Sequence, residues 1–252
     1  MLDNLSRGRL DVGVGRGISP IELSFFNLDA SESREMFREA LGALTSALST
    51  GKLSCEGRYF SFNDVELQIE PIQRPYPPLW YPTNSSESMT WLAQERLNTV
   101  VHYQSMPVIR ELFDLYRRIW NERRNNQDCL NAHAREPLYG ISRHVYVGET
   151  DTQAWEEAKI ALAAFNQNTG YLQATRGDNR RKEYLSDFEA RRAEGLYIAG
   201  SPTTVREEVK KQLEITGSNY FVGSFAFGSL TTEQAINSLR RFAEEVIPAF
   251  AL

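Results

Sequence analysis

The sequence predicts an α/β fold in which parallel strands form the core and helices cover them. Short apolar runs alternate with segments whose apolar residues recur at helical spacing, which is the pattern of repeated strand–helix units. The length of 252 residues suits one large domain and is typical of a (β/α)8 barrel. About five core strands can be identified, whereas a closed barrel of this type needs eight.

The composition indicates an ordinary globular protein and excludes several other classes. Apolar residues make up 41% and charged residues 24% of the chain. A net charge of −5, from 28 basic and 33 acidic residues, provides no basic surface for nucleic acid, so we expect no polynucleotide partner. No apolar run approaches the roughly 20 residues of a membrane span, and no apolar signal segment is present. We therefore expect no membrane partner and a cytoplasmic location. Cys55 and Cys129 are interpreted as free thiols, and a single disulfide between them is the alternative.

The first predicted strand ends in a loop that is rich in glycine and carries one arginine, Arg16. Leu10, Val12 and Val14 alternate along the strand, and the glycines up to Gly17 allow close approach of the backbone. Three interpretations are open. The GxGxG spacing partly matches a dinucleotide-binding fingerprint, although it lacks the wider GxGxxG spacing. Alternatively, this is a sharp turn at a barrel rim with Arg16 as a surface charge, or Arg16 grips a phosphate with two hydrogen bonds.

A long helix and an extended excursion follow this loop. The capping-box pattern Asp29–Glu32 predicts the start of the helix, and Gly51 is expected to end it. Residues 55–69 are predicted to be extended and to lie outside the core. A cluster of prolines then leads to a short buried strand at residues 79–81.

The next turn is rich in hydroxyl and amide side chains, and it stands where a second helix is predicted to begin. These side chains belong to Asn84, Ser85, Ser86 and Ser88. A helix N-terminus carries unpaired N–H groups and about half a positive charge, so it binds phosphate without a lysine. The alternative is that one serine merely caps the helix. If this strand neighbours the strand before Arg16, the two loops together predict a site for one phosphomonoester.

The second half of the chain repeats the strand–helix unit. Strands are predicted at residues 98–103, 141–147 and 219–227, and the last of these is expected to be buried on both faces because it is mostly apolar. Helix starts are predicted at Ser105, Thr150 or Asp151, Ser201 and Thr231. A charge-rich stretch from Asn166 to Glu194, which includes Arg181 and Lys182, is either a solvated helix or loop or a mobile lid.

The sequence shows no acid–base machinery that identifies a reaction. His102 and Tyr103 end a predicted strand and are candidates for the floor of a pocket, but a histidine there is as often a core residue. His144 lies inside a strand and is interpreted as structural. The spacing of these histidines and His133 does not resemble a metal site, and no nucleophile elbow is present. We therefore assign no catalytic residue and no metal.

Several motifs, in this order along the chain, resemble those of the luciferase-like flavin-dependent monooxygenases, a family that includes bacterial luciferase. They are Leu5–Gly17, Asn84–Ser88 before Trp91, Val145–Asp151, Gly200–Val205 and Phe242–Pro248. Each motif is common by itself, and their combination is specific.

The resemblance implies a (β/α)8 barrel that binds reduced FMN at the carboxyl ends of its strands and oxygenates a small organic substrate with O2. By the same resemblance, Arg16, Asn84, Ser85 and Ser88 would hold the flavin phosphate, and a separate flavin reductase would supply the cofactor. From the residues themselves, Ser86 is a further candidate. Members of the family carry about three βα units before the position of Gly8, so residues 1–252 are expected to form a single domain that is a partial barrel.

Two alternatives to this function remain open. The first is a non-catalytic or truncated partial barrel that needs a partner chain, with a homo-oligomer as one form. The second keeps the fold but uses the deazaflavin coenzyme F420, which relatives in the family use for hydride transfer without O2. The stretch Arg176 to Glu194 falls where family members carry a mobile loop.

Overall fold

The computed structural model describes residues 1–17 and 19–250. The side chains of Arg181 and Lys182, two members of the charge-rich stretch, lie outside the described residues. The chain divides into two compact units. Unit 1 comprises Met1–Thr99 and Tyr116–Pro137, and unit 2 comprises Val100–Leu115 and Leu138–Leu252.

The helices and strands alternate along most of the chain. Up to residue 122 they are α1 (Leu2–Ser6), β1 (Val12–Gly13), α2 (Pro20–Phe25), α3 (Ser33–Thr50), β2 (Lys52–Glu56), β3 (Ser61–Glu66), β4 (Leu79–Trp80), α4 (Ser86–Gln94), β5 (Thr99–His102) and α5 (Met106–Glu122). Beyond it they are β6 (Tyr139–Val147), α6 (Asp151–Thr169), α7 (Tyr171–Ala174), α8 (Arg180–Ser186), α9 (Phe188–Ala193), β7 (Tyr197–Gly200), α10 (Pro202–Thr216), β8 (Tyr220–Ser224) and α11 (Thr232–Arg241). A π-helical turn, Phe242–Val246, and a 3-10 turn, Ile247–Phe250, follow α11.

The parallel strands of unit 1 place two loops side by side. β1 pairs with β4 in parallel, with Val12 opposite Leu79. On the other edge of β4, the N–H of Asn98 donates to the carbonyl of Leu79 at 3.0 Å, and the N–H of Tyr81 donates to the carbonyl of Asn98 at 2.9 Å. The carboxyl ends of β1 and β4 are therefore neighbours, which is the condition that the predicted phosphate site required.

A long helix and a hairpin pack together beside these strands. α3 ends where the sequence predicts, at Gly51, whose φ of 76° is the left-handed conformation that glycine adopts without strain. β2 and β3 form an antiparallel hairpin outside the parallel sheets, which confirms the extended excursion. The Glu39 carboxylate of α3 fastens the hairpin tip, because it accepts hydrogen bonds from three successive N–H groups. These belong to Arg58, Tyr59 and Phe60, at 3.0, 2.9 and 2.7 Å.

The predicted capping box at the start of α3 is wrong. Asp29 accepts a hydrogen bond from the N–H of Ser31 at 2.8 Å and so forms a local turn. α3 begins later, at Ser33, and its N-cap residue Glu32 makes no side-chain capping bond. An aspartate followed by a serine suits either structure, and the local turn is the one that forms here.

β6 is the central strand of unit 2. The first half of β6 pairs in parallel with β8 and its second half with β7, while β5 is its other neighbour. Residues of β6 are buried on both faces. Tyr146 packs in a cluster with residues of α6, whereas Val145 and Val147 pack with Val205 and Val209 of α10.

The structure adds one parallel strand to those that the sequence predicts, and it corrects the burial of another. β7, at Tyr197–Gly200, extends the sheet beside the end of β6. The last strand, β8, is not buried on both faces as predicted, because Tyr220 is exposed and the rest of β8 is half-buried. Among the described strands β8 pairs with β6 alone, so it forms an edge, and the doubly buried strand is β6.

Four helices begin at the hydroxyl residues that the sequence marks as caps. In each, the cap oxygen accepts a hydrogen bond from the N–H three residues further on, and the caps are Ser85, Thr150, Ser201 and Thr231. The charge-rich stretch forms the end of α6 and the helices α7 to α9, in agreement with the helical interpretation. The lid interpretation stays a prediction.

Two further expectations concern cysteines and membrane spans. Cys55 and Cys129 are both free, as predicted. Within residues 1–17 and 19–250, no helix has the length and apolar character that crossing a membrane requires.

Candidate cofactor site

A cleft in unit 1 lies against the loop after β1, α3 and the first turns of α4. We call it the cationic cleft, because three guanidinium groups and one carboxylate are found among the described residues that line it. Its volume is about 690 Å³, including space that is open to solvent. The lining residues are Arg16, Arg34, Phe37, Arg38, Tyr81, Glu87, Ser88, Thr90, Trp91 and Gln94.

Arg16 is held in place from one side. Its Nη1 donates to the Ser33 hydroxyl at 3.0 Å, and that buried hydroxyl in turn donates to the Ala30 carbonyl at 2.7 Å. The bond to Ser33 engages one of the five N–H donors of the guanidinium. A half-buried, tethered arginine loses less side-chain freedom on binding an anion than a fully exposed one does.

Two more arginines reach the cleft from α3. Arg34 and Arg38 are four residues apart and so share one face of the helix. The guanidinium of Arg34 donates to both carboxylate oxygens of Glu87, and that of Arg38 lies 5.9 Å from the ring centroid of Trp91. Hydrogen bonds and attraction from Arg34, and then attraction from Arg16 and Arg38, lower the pKa of Glu87. The carboxylate is therefore charged at neutral pH, and the four ionic groups carry a net charge of +2.

Aromatic side chains join α3 to α4 beneath these charges. The ring centroid of Tyr81 lies 5.4 Å from that of Phe37 and 5.4 Å from that of Trp91. The ring centroids of Phe37 and Trp91 are 6.2 Å apart. Tilted and edge-on contacts of this kind stabilise the packing beyond the area that they bury. They fix the distance between the arginines of α3 and the start of α4.

The structure brings together only part of the residues that the sequence nominated. Arg16 and Ser88 line the same cleft. Ser85 is the N-cap of α4, since its hydroxyl accepts from the N–H of Ser88 at 3.2 Å, which confirms the capping interpretation for this serine. Asn84, Ser85 and Ser86 are exposed at the helix start and do not line the cleft.

Sequence reasoning missed the contribution of α3. The four-residue spacing of Arg34 and Arg38 was a usable signal, because it places two cations on one side of a helix. Nothing in the sequence indicates that this side faces α4, where Glu87 and Trp91 lie. That information comes from the packing of the aromatic rings.

Two polar residues of unit 2, His144 and Arg143, serve the core. His144 is buried with its ring 4.5 Å from Phe165 and 4.8 Å from Phe227, which confirms the structural interpretation. Burial, and to a smaller extent His102, lowers the pKa of His144 to about 4. Arg143 is also buried, its Nε donates to Gln212 at 2.8 Å, and burial lowers its pKa to about 10.

A second helix start, that of α10, is already satisfied by an anion from this chain. The Asp151 carboxylate accepts from the N–H of Ser201 at 2.7 Å and from the hydroxyl of Thr204 at 2.9 Å. The Ser201 bond, followed by the Thr204 bond, lowers the pKa of Asp151. This helix start therefore has a structural partner in place of a ligand.

A family model described as luciferase-like monooxygenase matches residues 1–219. The chain belongs to this family. An uncharacterized protein of Sinorhizobium fredii, y4wF, is 31% identical over 247 residues, which cover 98% of this luciferase-like chain and 70% of that protein. The alkanal monooxygenase alpha chain of Aliivibrio fischeri is 25% identical over 281 residues, covering 98% and 73%.

Solved structures show that the luciferase-like chain has the fold of these enzymes, an α/β barrel with part of its strands. The oxygenating constituent of 3,6-diketocamphane monooxygenase from Pseudomonas putida, in complex with FMN, matches with a TM-score of 0.72 and 17% identity over 100% of this chain and 74% of that one. An F420-dependent secondary alcohol dehydrogenase in complex with an F420-acetone adduct matches with a TM-score of 0.69 and 15% identity over 100% and 72%. At these identities the likeness concerns the fold alone.

Proposed function

We propose that this chain holds the phosphate of reduced FMN and serves the oxygenation of a small organic substrate by O2. The observation that carries the proposal is the cationic cleft, where Arg16, Arg34 and Arg38 converge with the start of α4. A match to a family of monooxygenases, and a structural neighbour that contains FMN, support the same cofactor.

The residues of the cleft fit a phosphomonoester. A phosphate carries close to two negative charges at neutral pH, and the ionic groups of the cleft sum to +2. Guanidinium groups bind phosphate oxygens in pairs, and a helix N-terminus adds N–H donors and a partial positive charge. Charge, donor type and helix geometry therefore agree on one ligand class.

Four residues of the cleft have a role in this proposal. Arg16, tethered by Ser33, anchors the phosphate, and the hydroxyl of Ser88 adds a hydrogen bond at the start of α4. Arg34 and Arg38 neutralise the remaining charge. The bound reduced flavin would supply the electrons for the reaction with O2. Because the cleft is open to solvent, it suits a cofactor that is exchanged with a separate reductase.

The test is a fluorescence titration of the protein with FMN, under anaerobic conditions for the reduced form. Arg16→Ala removes a charge-assisted contact, so FMN affinity should fall about 30- to 1000-fold, equivalent to about 2–4 kcal/mol. Riboflavin lacks the phosphate and should bind the variant and the wild type alike.

Arg9→Ala is the matched control for this titration. Arg9 is an exposed arginine in the same segment, its Nε donates to the carbonyl of Ser6 at 2.8 Å, and it does not line the cleft. Its removal should leave FMN affinity unchanged. If Arg16→Ala binds FMN as tightly as the wild type does, the phosphate role of Arg16 is wrong.

A second candidate keeps the fold and changes the cofactor to F420. The likeness to an F420-dependent alcohol dehydrogenase favours it, and the reaction would then be hydride transfer without O2. The absorbance spectrum of cofactor that copurifies with the chain distinguishes the two. A flavin spectrum supports the first proposal, and a deazaflavin spectrum replaces it with the second.

An edge strand favours a third candidate, a partial barrel that needs a partner chain. Among the described strands β1 pairs with β4 alone, so β1 forms an edge of its sheet. Open edges pair readily with other chains. Mass measurement during the FMN titration separates the cases, because a protein that acts by itself should bind stoichiometrically as a monomer.

A further inference from the structure

Glu87 is the one carboxylate among the residues that line the cationic cleft. It is the second residue of α4, and its carboxylate accepts from both terminal nitrogens of Arg34. The pair is solvent-exposed, since the Glu87 side chain is 71% exposed and that of Arg34 is 44% exposed. An exposed pair is weak, so an incoming anion can compete for Arg34.

This carboxylate forms a hydrogen-bonded ion pair with one arginine of the cleft, Arg34. Among the described residues Arg16, which is held by Ser33, forms no ion pair with a carboxylate, whereas Arg34 already pairs with Glu87. An anion that is bound at Arg16 meets attraction, and any charge that extends toward Arg34 meets the paired carboxylate of Glu87. Coulomb repulsion grows in proportion to the charge of the ligand, so Glu87 affects ligands of higher charge more strongly.

We propose that Glu87 is a specificity-determining residue that limits the cationic cleft to a single phosphoryl group and disfavours diphosphates. This inference rests on the proposed function, because it concerns the same phosphate site. It explains why three guanidinium groups are accompanied by an opposing charge. Without Glu87 the cleft would carry three positive charges, and it would suit the higher charge of a diphosphate at least as well as that of a monophosphate.

The test compares two probes, inorganic phosphate and pyrophosphate, on the complete chain, with binding followed by ³¹P NMR. Glu87→Gln keeps the size of the side chain and removes its charge. Affinity for phosphate should rise about twofold to threefold and affinity for pyrophosphate about tenfold. Wild-type protein should bind pyrophosphate no more tightly than phosphate.

Glu35→Gln is the control for the overall charge. Glu35 follows Arg34 on α3 and is similarly exposed, at 70%, but it pairs with Arg58 at 3.3 Å and does not line the cleft. This variant should bind both probes as the wild type does. If Glu35→Gln gives the same gain as Glu87→Gln, the effect is one of net charge and the inference is wrong.

A double variant tests whether the effect of Glu87 on pyrophosphate affinity depends on Arg34. In an Arg34→Gln background the additional change Glu87→Gln should gain less for pyrophosphate than it does in the wild type, because the second guanidinium is gone. Equal gains for phosphate and pyrophosphate in the single variant, or no gain for either, would overturn the inference.

The failure of this inference can be told apart from the failure of the flavin proposal. If FMN binds through Arg16 but Glu87→Gln does not change the preference between the two probes, only the role of Glu87 is rejected. If the preference changes as expected but FMN binds no better than riboflavin, the anion selectivity stands and the flavin proposal is rejected. Protein that binds neither probe nor FMN contradicts both.

Discussion

The starts of α4 and α10 look alike in sequence and differ in use. Both helices follow a parallel strand and begin at a serine that caps the third N–H beyond it, Ser85 in one and Ser201 in the other. At α10 the Asp151 carboxylate supplies the negative charge from within the chain. At α4 the first-turn carboxylate of Glu87 is paired with Arg34, and the ionic groups beside this helix start still sum to +2, which favours a further anion.

The difference teaches that the neighbours of a helix start, and not the start itself, decide whether it binds a ligand. The same contrast holds for arginines. Arg143 of unit 2 is buried, and it donates to Gln212 and to backbone carbonyls. Arg16 of unit 1 makes one bond to a serine hydroxyl and lines an open cleft. Arg143 therefore maintains the fold, and most donors of Arg16 are available to a ligand.

The largest expected effect is the pH dependence of stability that the buried His144 of unit 2 causes. His144 has a pKa of about 4 in the folded protein, below the usual value of about 6.5, so its imidazole binds a proton more readily in the unfolded chain. The contribution of this pKa difference to the free energy of unfolding is complete above about pH 6.5. It is lost as the pH falls toward 4, and the total loss is about 3 kcal/mol. Thermal melts from pH 7.5 to 4 measure this loss.

His144→Phe is the matched variant for the pH series. Phenylalanine suits a site that is lined by Phe165 and Phe227, and it cannot be protonated. The variant should lose less stability than the wild type on acidification. Parallel curves for the two proteins would show that His144 is not the group responsible.

A smaller effect is expected at the start of α10. Asp151→Ala removes the bonds to Ser201 and Thr204, and it should lower the free energy of unfolding by about 1–2 kcal/mol, as the loss of a helix cap does. FMN affinity should stay the same, because Asp151 does not line the cationic cleft. Chemical denaturation and FMN titration of one preparation give both values, and a fall in FMN affinity would break the contrast.

The smallest effect is expected at the start of α4. Ser85→Ala removes the cap and should cost about 1 kcal/mol of stability. FMN affinity should fall far less than in Arg16→Ala, because the arginines remain. Ser85→Asp, which can still cap the helix, is the control for stability. An FMN loss as large as that of Arg16→Ala would mean that Ser85 itself binds the phosphate.

Sequence reasoning predicted those parts of the fold that depend on local signals. The caps at Ser85, Ser201 and Thr231 were correct, because a hydroxyl before a helical pattern has few alternatives. β7 was missed because Tyr197–Gly200 is short and precedes a helix cap directly. The burial of β8 was wrong because an apolar strand at a sheet edge has the same composition as a central one.

The candidate site was predictable only where its residues come shortly after a parallel strand in the sequence. Arg16 and Ser88 follow parallel strands, and the rule that ligands bind at carboxyl ends located both. Arg34 and Glu87 belong to helices that are far apart in sequence. Their pairing depends on how α3 packs against α4, which is a tertiary contact that no local pattern specifies.

α3 carries two of the cleft arginines, Arg34 and Arg38, and also Glu39, which holds the hairpin tip. Successive residues of a helix are rotated by about 100° about its axis. One residue added or deleted between Arg38 and Glu39 would therefore rotate either the arginines away from the cleft or Glu39 away from the hairpin tip. Insertions in relatives of this protein should therefore collect at the ends of α3 and within the hairpin loop. The rotational position of this one helix therefore determines both the charge of the cleft and the anchoring of the hairpin tip, although no cleft arginine lies in the hairpin.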